Sequence, residues 1–280
     1  MLSRREIESY ESQGYLHIPA VFTGRDICEM ERDHEFMTRH WASSGQGWTG
    51  PWRKEYMDAA TEKQSQLVAM HDLHFYAASW MQAVTHPRLV EAMGDLLGPN
   101  VELHHSTMHT KPPETGHPFP MHQDWAFYQH QDGRYVDVLV HLDDTRHENG
   151  EIRFLAGSHA QGALEHITCT PEGPCTPHLP TANYHLKETI PVPARRGDVV
   201  CFNIFTVHGS YVNRTSQPRR LVRLGYRDPE NPQLGGQSHG RPGLMVRGHR
   251  PNPGGLHPAY SSEVGALDAF KAVPEPALVG

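Results

Sequence analysis

The stretch PMHQDWAFY, residues 120–128, puts an imidazole and a carboxylate two positions apart. On an extended strand, residues i and i+2 point to one face, so His122 and Asp124 can offer two ligands to a single metal ion. A second histidine from elsewhere would complete a two-His-one-carboxylate set. Such a set covers one face of a metal and leaves three positions open, the arrangement by which non-haem Fe(II) oxygenases admit a cosubstrate and O₂. The same donors can hold zinc and activate water.

His-x-Asp occurs three times in a chain with 22 histidines, so the pattern alone does not choose. His130/Asp132 runs into Gly133 in HQDGR and reads as a solvated polar turn. His141/Asp143 follows VDVLV and lies at a strand end. His122/Asp124 differs in context. The proline-rich KPPETGHPFP fixes the approach to it, and Trp125, Phe127 and Tyr128 follow at once. For these aromatics core packing and pocket wall are equally good readings. The distal partner is His208, at the end of the apolar run GDVVCFNIFTVHGS, and Arg219 arrives eleven residues later. If the strands bearing His208 and Arg219 are adjacent and antiparallel, both side chains enter one pocket. A buried arginine there needs an anion. Its planar fork suits a carboxylate-bearing cosubstrate. Arg223 and Arg227 follow at even spacing and share that face, either to contact an anionic substrate or to pair with acids.

Two kinds of element must position these residues. Up to about residue 100 the texture is helical. Ser3 and Thr23 cap two helices, the first ending at Gly14, with Ile27, Met30, Phe36 and Met37 at helical spacing in the second. GYLHIPAVF between them reads as a short strand, and LHFYAASWMQAV and PRLVEAMGDLL as two further helices. SSGQGWTGPWRKEY, residues 43–56, is a Gly/Trp loop. It reads either as a lid over the pocket carrying Trp48 and Trp52, or as a plain surface loop with aromatic anchors. From residue 101 the chain turns to short strands separated by Gly, Pro and Asn: VELHHSTMHTK, YVDVLVHLDD, EIRFLAGSH, KETIPVPAR, DVVCFNIFTVHGS and RRLVRLGYR. That texture predicts a double-sheet β core rather than a doubly wound parallel sheet. The expected organisation of residues 1–280 is a single domain. Residues 1–100 form a mostly helical part packed on the core, 101–228 the core, and 229–280 a Gly/Pro-rich wrap.

Bulk properties remove several function classes. A net charge of −7, with basic residues scattered, gives no nucleic-acid footprint and no anionic-membrane patch. No apolar run approaches the roughly 18 residues of a membrane span. The charged start MLSRREIESY predicts no signal peptide. Cys28, Cys169, Cys175 and Cys201 form no C-x-x-C pair, so a reducing cytoplasm is the expected location. No obligate protein partner is evident.

Taken in order, YESQGYLHIPAVFTGRDICEM, HPRLVEAMGDLLGPNVELHHSTMHTKPP, MHQDWAFY, DDTRHENGEIRFLAGSH, RRGDVVCFNIFTVHGSYVNRTSQPRR and GGQSHGRPGLMVRGHRP resemble the phytanoyl-CoA dioxygenase family. The resemblance covers residues 5 to 250. It implies a mainly β fold with N-terminal helices on a double-stranded β-helix, or jelly-roll, core. It also implies Fe(II) on His122, Asp124 and His208, with 2-oxoglutarate as cosubstrate and O₂ as oxidant. Arg219 matches the arginine that grips the distal carboxylate of 2-oxoglutarate, and Ser210 a residue that assists it. Thr107, His109 and Lys111 fall where the family lines the cosubstrate pocket. ENGEIRFLAGSH, residues 148–159, matches a family signature read here as structural, with His159 outside the ligand set. Related halogenases carry Ala or Gly in place of the carboxylate. Asp124 is present, so hydroxylation of a small-molecule C–H is the expectation, in metabolite tailoring or catabolism. The rivals are a metal-dependent isomerase or hydrolase on a cupin-like scaffold, and a silent binding protein. A hydrolase has no need of a deep carboxylate clamp, and a silent binder would be expected to have lost a ligand, whereas all three and the arginine are present.

Overall fold

The computed structural model describes residues 1–251. Helix α1 (Arg4–Gln13) begins at a capping box between Ser3 and Glu6 and stops at Gly14, whose φ of 81° lets the chain turn out through the left-handed region. Strand β1 (Tyr15–Ile18) follows, then α2 (Gly24–His40), opened by a second capping box between Thr23 and Asp26. The expected loop at 43–56 is partly ordered into strand β2 (Ser43–Gly45) and the single turn α3 (Arg53–Tyr56), after which come α4 (Ala59–Gln64) and β3 (Leu67–His71). The run read as one helix from Leu73 splits into a tight turn at Leu73–Phe75 and α5 (Ala78–Val84); α6 (Pro87–Leu97) starts on proline and ends at Gly98.

The remaining strands are β4 (Val101–Lys111), β5 (Phe119–His122), β6 (Tyr135–His141), β7 (Ile152–Phe154), β8 (Ile167–Thr170), β9 (Gly173–His178), β10 (Ile190–Pro191), β11 (Val199–Asn203), β12 (His208–Ser210), β13 (Arg219–Arg227) and β14 (Leu244–Arg247). They form a major sheet in the order β1-β11-β6-β13-β4-β3-β2, with β14 also on β4, and a minor sheet in the order β10-β7-β12-β5. Strands β8 and β9 make a separate hairpin. All pairings between these strands are antiparallel.

Three expectations change. The N-terminal part is not purely a helical layer, since β1, β2 and β3 extend the major sheet. The C-terminal wrap contributes β14, whose Leu244 pairs with Leu103; residues 252–280 of that wrap lie outside the described residues. The apolar run ending in His208 is not one strand. It turns at Ile204–Val207 and changes sheet, so β11 belongs to the major sheet and β12 to the minor one.

Two cores result. On the outer face of the major sheet, Val136, Val138, Val140, Val199, Cys201, Val222 and Leu224 pack against Ile27, Met30 and Met37 of α2, Trp80 of α5 and Leu89 and Met93 of α6. Phe36, expected on that apolar stripe, points out and is 51% exposed. Between the sheets lies a smaller cluster of Leu139, Val200, Phe202 and Leu221 from the major sheet with Ile152 and Phe154 from the minor one. The four cysteines are free. Among the described residues no helix is long and apolar enough to cross a membrane.

Candidate metal and cosubstrate site

His122 and His208 sit opposite one another on neighbouring strands β5 and β12 of the minor sheet. Asp124 opens the turn just after β5. One ligand atom from each of the three falls within 4.8 Å of the others. Asp124 Oδ1 is 3.4 Å from His122 Nε2 and 3.8 Å from His208 Nε2. Each imidazole is oriented by its other nitrogen: Nδ1–H of His122 donates to the Pro120 carbonyl (2.7 Å), and Nδ1–H of His208 to that of Thr206 (3.0 Å). Both Nε2 lone pairs therefore face inward, since a hydrogen bond at one ring nitrogen fixes the tautomer that leaves the other free to bind a metal. Burial, reinforced by His122, pushes His208 down to about 3, so its ring is neutral and able to coordinate. Both Asp124 oxygens are buried without a hydrogen-bond partner. Inward lone pairs and an unsatisfied carboxylate fit an Fe(II) held by these three residues.

The intervening residues aim these ligands. The Gln123 side chain points away from them, bonding the Gly162 and Phe205 carbonyls and the Leu164 amide. Ser158, in the GSH segment read as structural, accepts from the amide of Val207, the residue before His208. Gly209 is needed at its place because a Cβ there would meet the Phe119 carbonyl at 2.8 Å, blocking the approach of β12 to β5.

His122, Asp124 and His208 open onto a cavity lined by both sheets, including Trp48, His109, Phe119, Arg219 and Arg223. Arg219 is 1% exposed, and among the described residues its Nε and Nη2 have no hydrogen-bond partner. Burial lowers it to about 10, with Asp143 opposing. The expected route into the pocket is corrected: β12 and β13 are not adjacent, but lie in facing sheets, and His208 and Arg219 meet across the interior. Beside Arg219, across the β13–β4 pair, Lys111 is fully buried; its Nζ donates to Ser210 Oγ (2.7 Å) and to the Tyr211 carbonyl. Burial and then Arg219 hold this lysine well below its ordinary value. His109 lines the cavity, while Thr107 is engaged with His71 (3.0 Å).

The aromatic candidates separate. Trp48 lies edge-on to His122, with centroids 4.7 Å apart, and Phe127 packs on Trp48 at 4.7 Å. Trp52 is instead a core residue against Tyr56 and His117, and Trp125 donates its indole N–H to the His130 carbonyl. Tyr128 is buried behind the site, its hydroxyl on Asp137. The segment around Trp48 is pinned. His117 Nε2 accepts from the Trp48 amide, and Arg53 donates to the Gln46, Trp48 and Glu62 carbonyls. Arg227 lies outside the cavity lining, in a buried pair with Glu102 (2.6 Å).

Arg223 does pair with an acid, and that acid is Asp124: Nη1 is 2.8 Å from Oδ2, close in distance though outside hydrogen-bond geometry. Burial alone would raise the Asp124 carboxyl, but Arg223 beside it holds it well below the usual carboxylate range. Asp137, missed by sequence reasoning, completes the group. It is fully buried on β6, and burial and the Asp124 charge push its carboxyl up. The two rejected pairs are engaged elsewhere. Asp132 holds Arg134 and Asp143 holds Arg220 (2.6 Å), although His130 proves buried rather than solvated.

The profile of the phytanoyl-CoA dioxygenase (PhyH) family matches residues 10–221. Over 250 residues the chain is 28% identical to a probable alpha-ketoglutarate-dependent hypophosphite dioxygenase of Stutzerimonas stutzeri, covering 85% of this chain and 84% of that protein. It is 28% identical over 251 residues to the ectoine dioxygenase of Bordetella parapertussis, with 82% and 77% covered. Among solved structures, the alpha-ketoglutarate-dependent epimerase SnoN from nogalamycin biosynthesis superposes with a TM-score of 0.66 at 19% identity, covering 89% of this chain and 97% of that one. EctD from S. alaskensis, solved with 2-oxoglutarate and 5-hydroxyectoine, gives 0.62 at 19%, covering 92% and 84%. These superpositions establish the jelly-roll fold. The chain belongs to the phytanoyl-CoA dioxygenase family. It is an Fe(II)- and 2-oxoglutarate-dependent dioxygenase of the hydroxylating type, and the isomerase, hydrolase and silent-binder readings fall away.

Proposed function

We propose that His122, Asp124 and His208 hold the Fe(II), that Arg219 receives the distal carboxylate of 2-oxoglutarate, and that the product is a hydroxylated small metabolite. The observation that carries this reading is Arg219, a buried guanidinium with unpartnered donors facing the same cavity as the three metal ligands. A cation so placed is costly unless an anion meets it. Ser210 is held by Lys111, the β4 neighbour of Arg219, though neither Ser210 nor Lys111 is in the cavity lining, and His109 lines the same cavity as Arg219.

Bound there, Fe(II) and 2-oxoglutarate would let O₂ act as the oxidant, two of its four electrons coming from 2-oxoglutarate, which leaves as succinate and CO₂, and two from the substrate C–H. The protein's own work is placement. His122 and His208 present neutral Nε2 atoms, and Asp124 presents Oδ1 between them. Phe119, Leu139, Ile152, Phe202 and Leu221 keep the inner end of the cavity apolar. Trp48 and Phe127 form a wall beside His122, against which a substrate C–H can be held. The pinned segment around Trp48 makes that wall a fixed template rather than a swinging lid. Residues 1–251 act as one catalytic unit, since β1 to β3 complete the sheet that carries Arg219. Free cysteines suit a reducing compartment such as the cytoplasm. The test is succinate formation with Fe(II), 2-oxoglutarate and a panel of small amino acids, cyclic metabolites and reduced oxyanions. Substrate-stimulated succinate with a stoichiometric hydroxylated product supports the reading. Product oxidation that needs no 2-oxoglutarate refutes it.

A further inference from the structure

Arg223 lines the cavity, and each edge of its guanidinium faces a buried partner, although Nε makes no hydrogen bond. Nη1 is 2.8 Å from Asp124 Oδ2, Nη2 donates to His105 Nε2 (3.2 Å), and Nε faces Asp137 Oδ1 at 3.6 Å. The guanidinium lies over the Tyr128 ring, 5.1 Å from its centroid, and the Tyr128 hydroxyl donates to Asp137 Oδ2 (2.8 Å). His105 in turn sits 2.9 Å from His104 Nδ1 and 3.2 Å from the Tyr135 hydroxyl. All of these side chains are buried, so the arginine is held from several sides. Meanwhile Asp124 Oδ1, the oxygen away from Arg223, is the one that faces both imidazole Nε2 atoms.

We propose that Arg223 is a positioning residue for the metal: it pins Oδ2 of Asp124, so that the carboxylate meets the metal through Oδ1 alone. Two things follow from one ion pair. The carboxylate is oriented before the metal arrives, and its second oxygen is kept from occupying a coordination position that cosubstrate or O₂ needs. Asp137 and Tyr128 hold the arginine in place rather than the metal. This inference rests on the assignment of His122, Asp124 and His208 as ligands.

The experiment uses the full-length apo-protein and Co(II) as a spectroscopic stand-in for Fe(II), without turnover. The wild type is titrated first. If it binds no Co(II), the ligand assignment itself fails, and this inference with it. Given wild-type binding, Arg223→Gln is expected to weaken Co(II) affinity by roughly 10–100-fold, the usual scale for removing an outer-sphere partner. Its ligand-field spectrum should also change shape, because the released carboxylate can chelate through both oxygens. Arg223→Lys should recover part of the affinity and the wild-type spectrum. Arg223→Gln with unchanged affinity and unchanged spectrum overturns the proposal. If Arg223→Gln does not fold, Arg223→Met takes its place, with the same loss expected and an unchanged titration again overturning it.

Discussion

On β6, Val136, Val138 and Val140 face the helices, while Asp137 and Leu139 face the minor sheet. On β13, Val222 and Leu224 face the helices, while Arg219, Leu221 and Arg223 line the cavity. The same strands thus carry a dry hydrophobic face and a buried face that holds charge. Burial is equal on both sides, since every β6 residue is buried. The outer face supplies stability through apolar area removed from water. On the proposed assignment, the inner face spends some of that stability on desolvated cations and carboxylates that a metal and an anionic cosubstrate would satisfy.

Substitutions can separate the two faces. The largest functional effect belongs to the inner one. Asp124→Ala or His208→Ala should remove metal binding and reduce turnover to background, while Asp143→Asn, which loosens only the Arg220 pair, should leave metal binding intact. Metal content after reconstitution checks both halves. On the outer face, Leu224→Ala should cost about 2–5 kcal/mol in urea unfolding, as for other core truncations, with the metal affinity of the folded fraction unchanged. Loss of affinity there would mean that the faces are not separable.

Arg219→Met should raise the KM for 2-oxoglutarate by roughly 10–100-fold, the worth of one or two charge-assisted hydrogen bonds. Metal binding should survive, and the apo-protein should be no less stable, because the substitution removes an unpaired buried charge. A destabilised Arg219→Met would indicate a structural ion pair instead. The smallest effect concerns pH. His34 of α2, hydrogen-bonded to Thr110, is lowered by burial to about 4 from 6.5. The unfolded chain therefore binds this proton first. Its contribution to stability is full above about pH 6.5 and declines as pH falls toward 4. Thermal melts of His34→Gln should show a shallower decline across that window than the wild type.

Local signals were legible. The two capping boxes, Gly14, Pro87 and the lengths of β4 and β13 are set by residues within a few positions of each other. The types and spacing of His122, Asp124, His208 and Arg219 picked out four side chains that the structure brings to one cavity. Which strands face one another was not legible, because pairing joins residues far apart in sequence. DVVCFNIFTVHGS is largely apolar, and a lone Asn203 is the one local hint that it turns at Ile204 and changes sheet. That Arg223 pairs with an acid was legible; that the acid is Asp124, with Asp137 beside it, was hidden for a different reason. Polar residues alternating with apolar ones on a strand ordinarily mark a solvent face, whereas here they mark the interior of a site. Phe36 shows the converse, an apolar residue at helical spacing that the packing leaves outside.

The central claim is that one cavity joins the His122–Asp124–His208 set to the Arg219 clamp. Anaerobic absorption spectroscopy of the apo-protein, titrated with Fe(II) and then 2-oxoglutarate, tests it most directly, since a metal-to-cosubstrate charge-transfer band in the visible requires both at one centre. The account predicts that band in the wild type, its loss in Asp124→Ala, and a higher 2-oxoglutarate concentration for half-saturation in Arg219→Met. No band in the wild type, or a band unchanged in both variants, would contradict it.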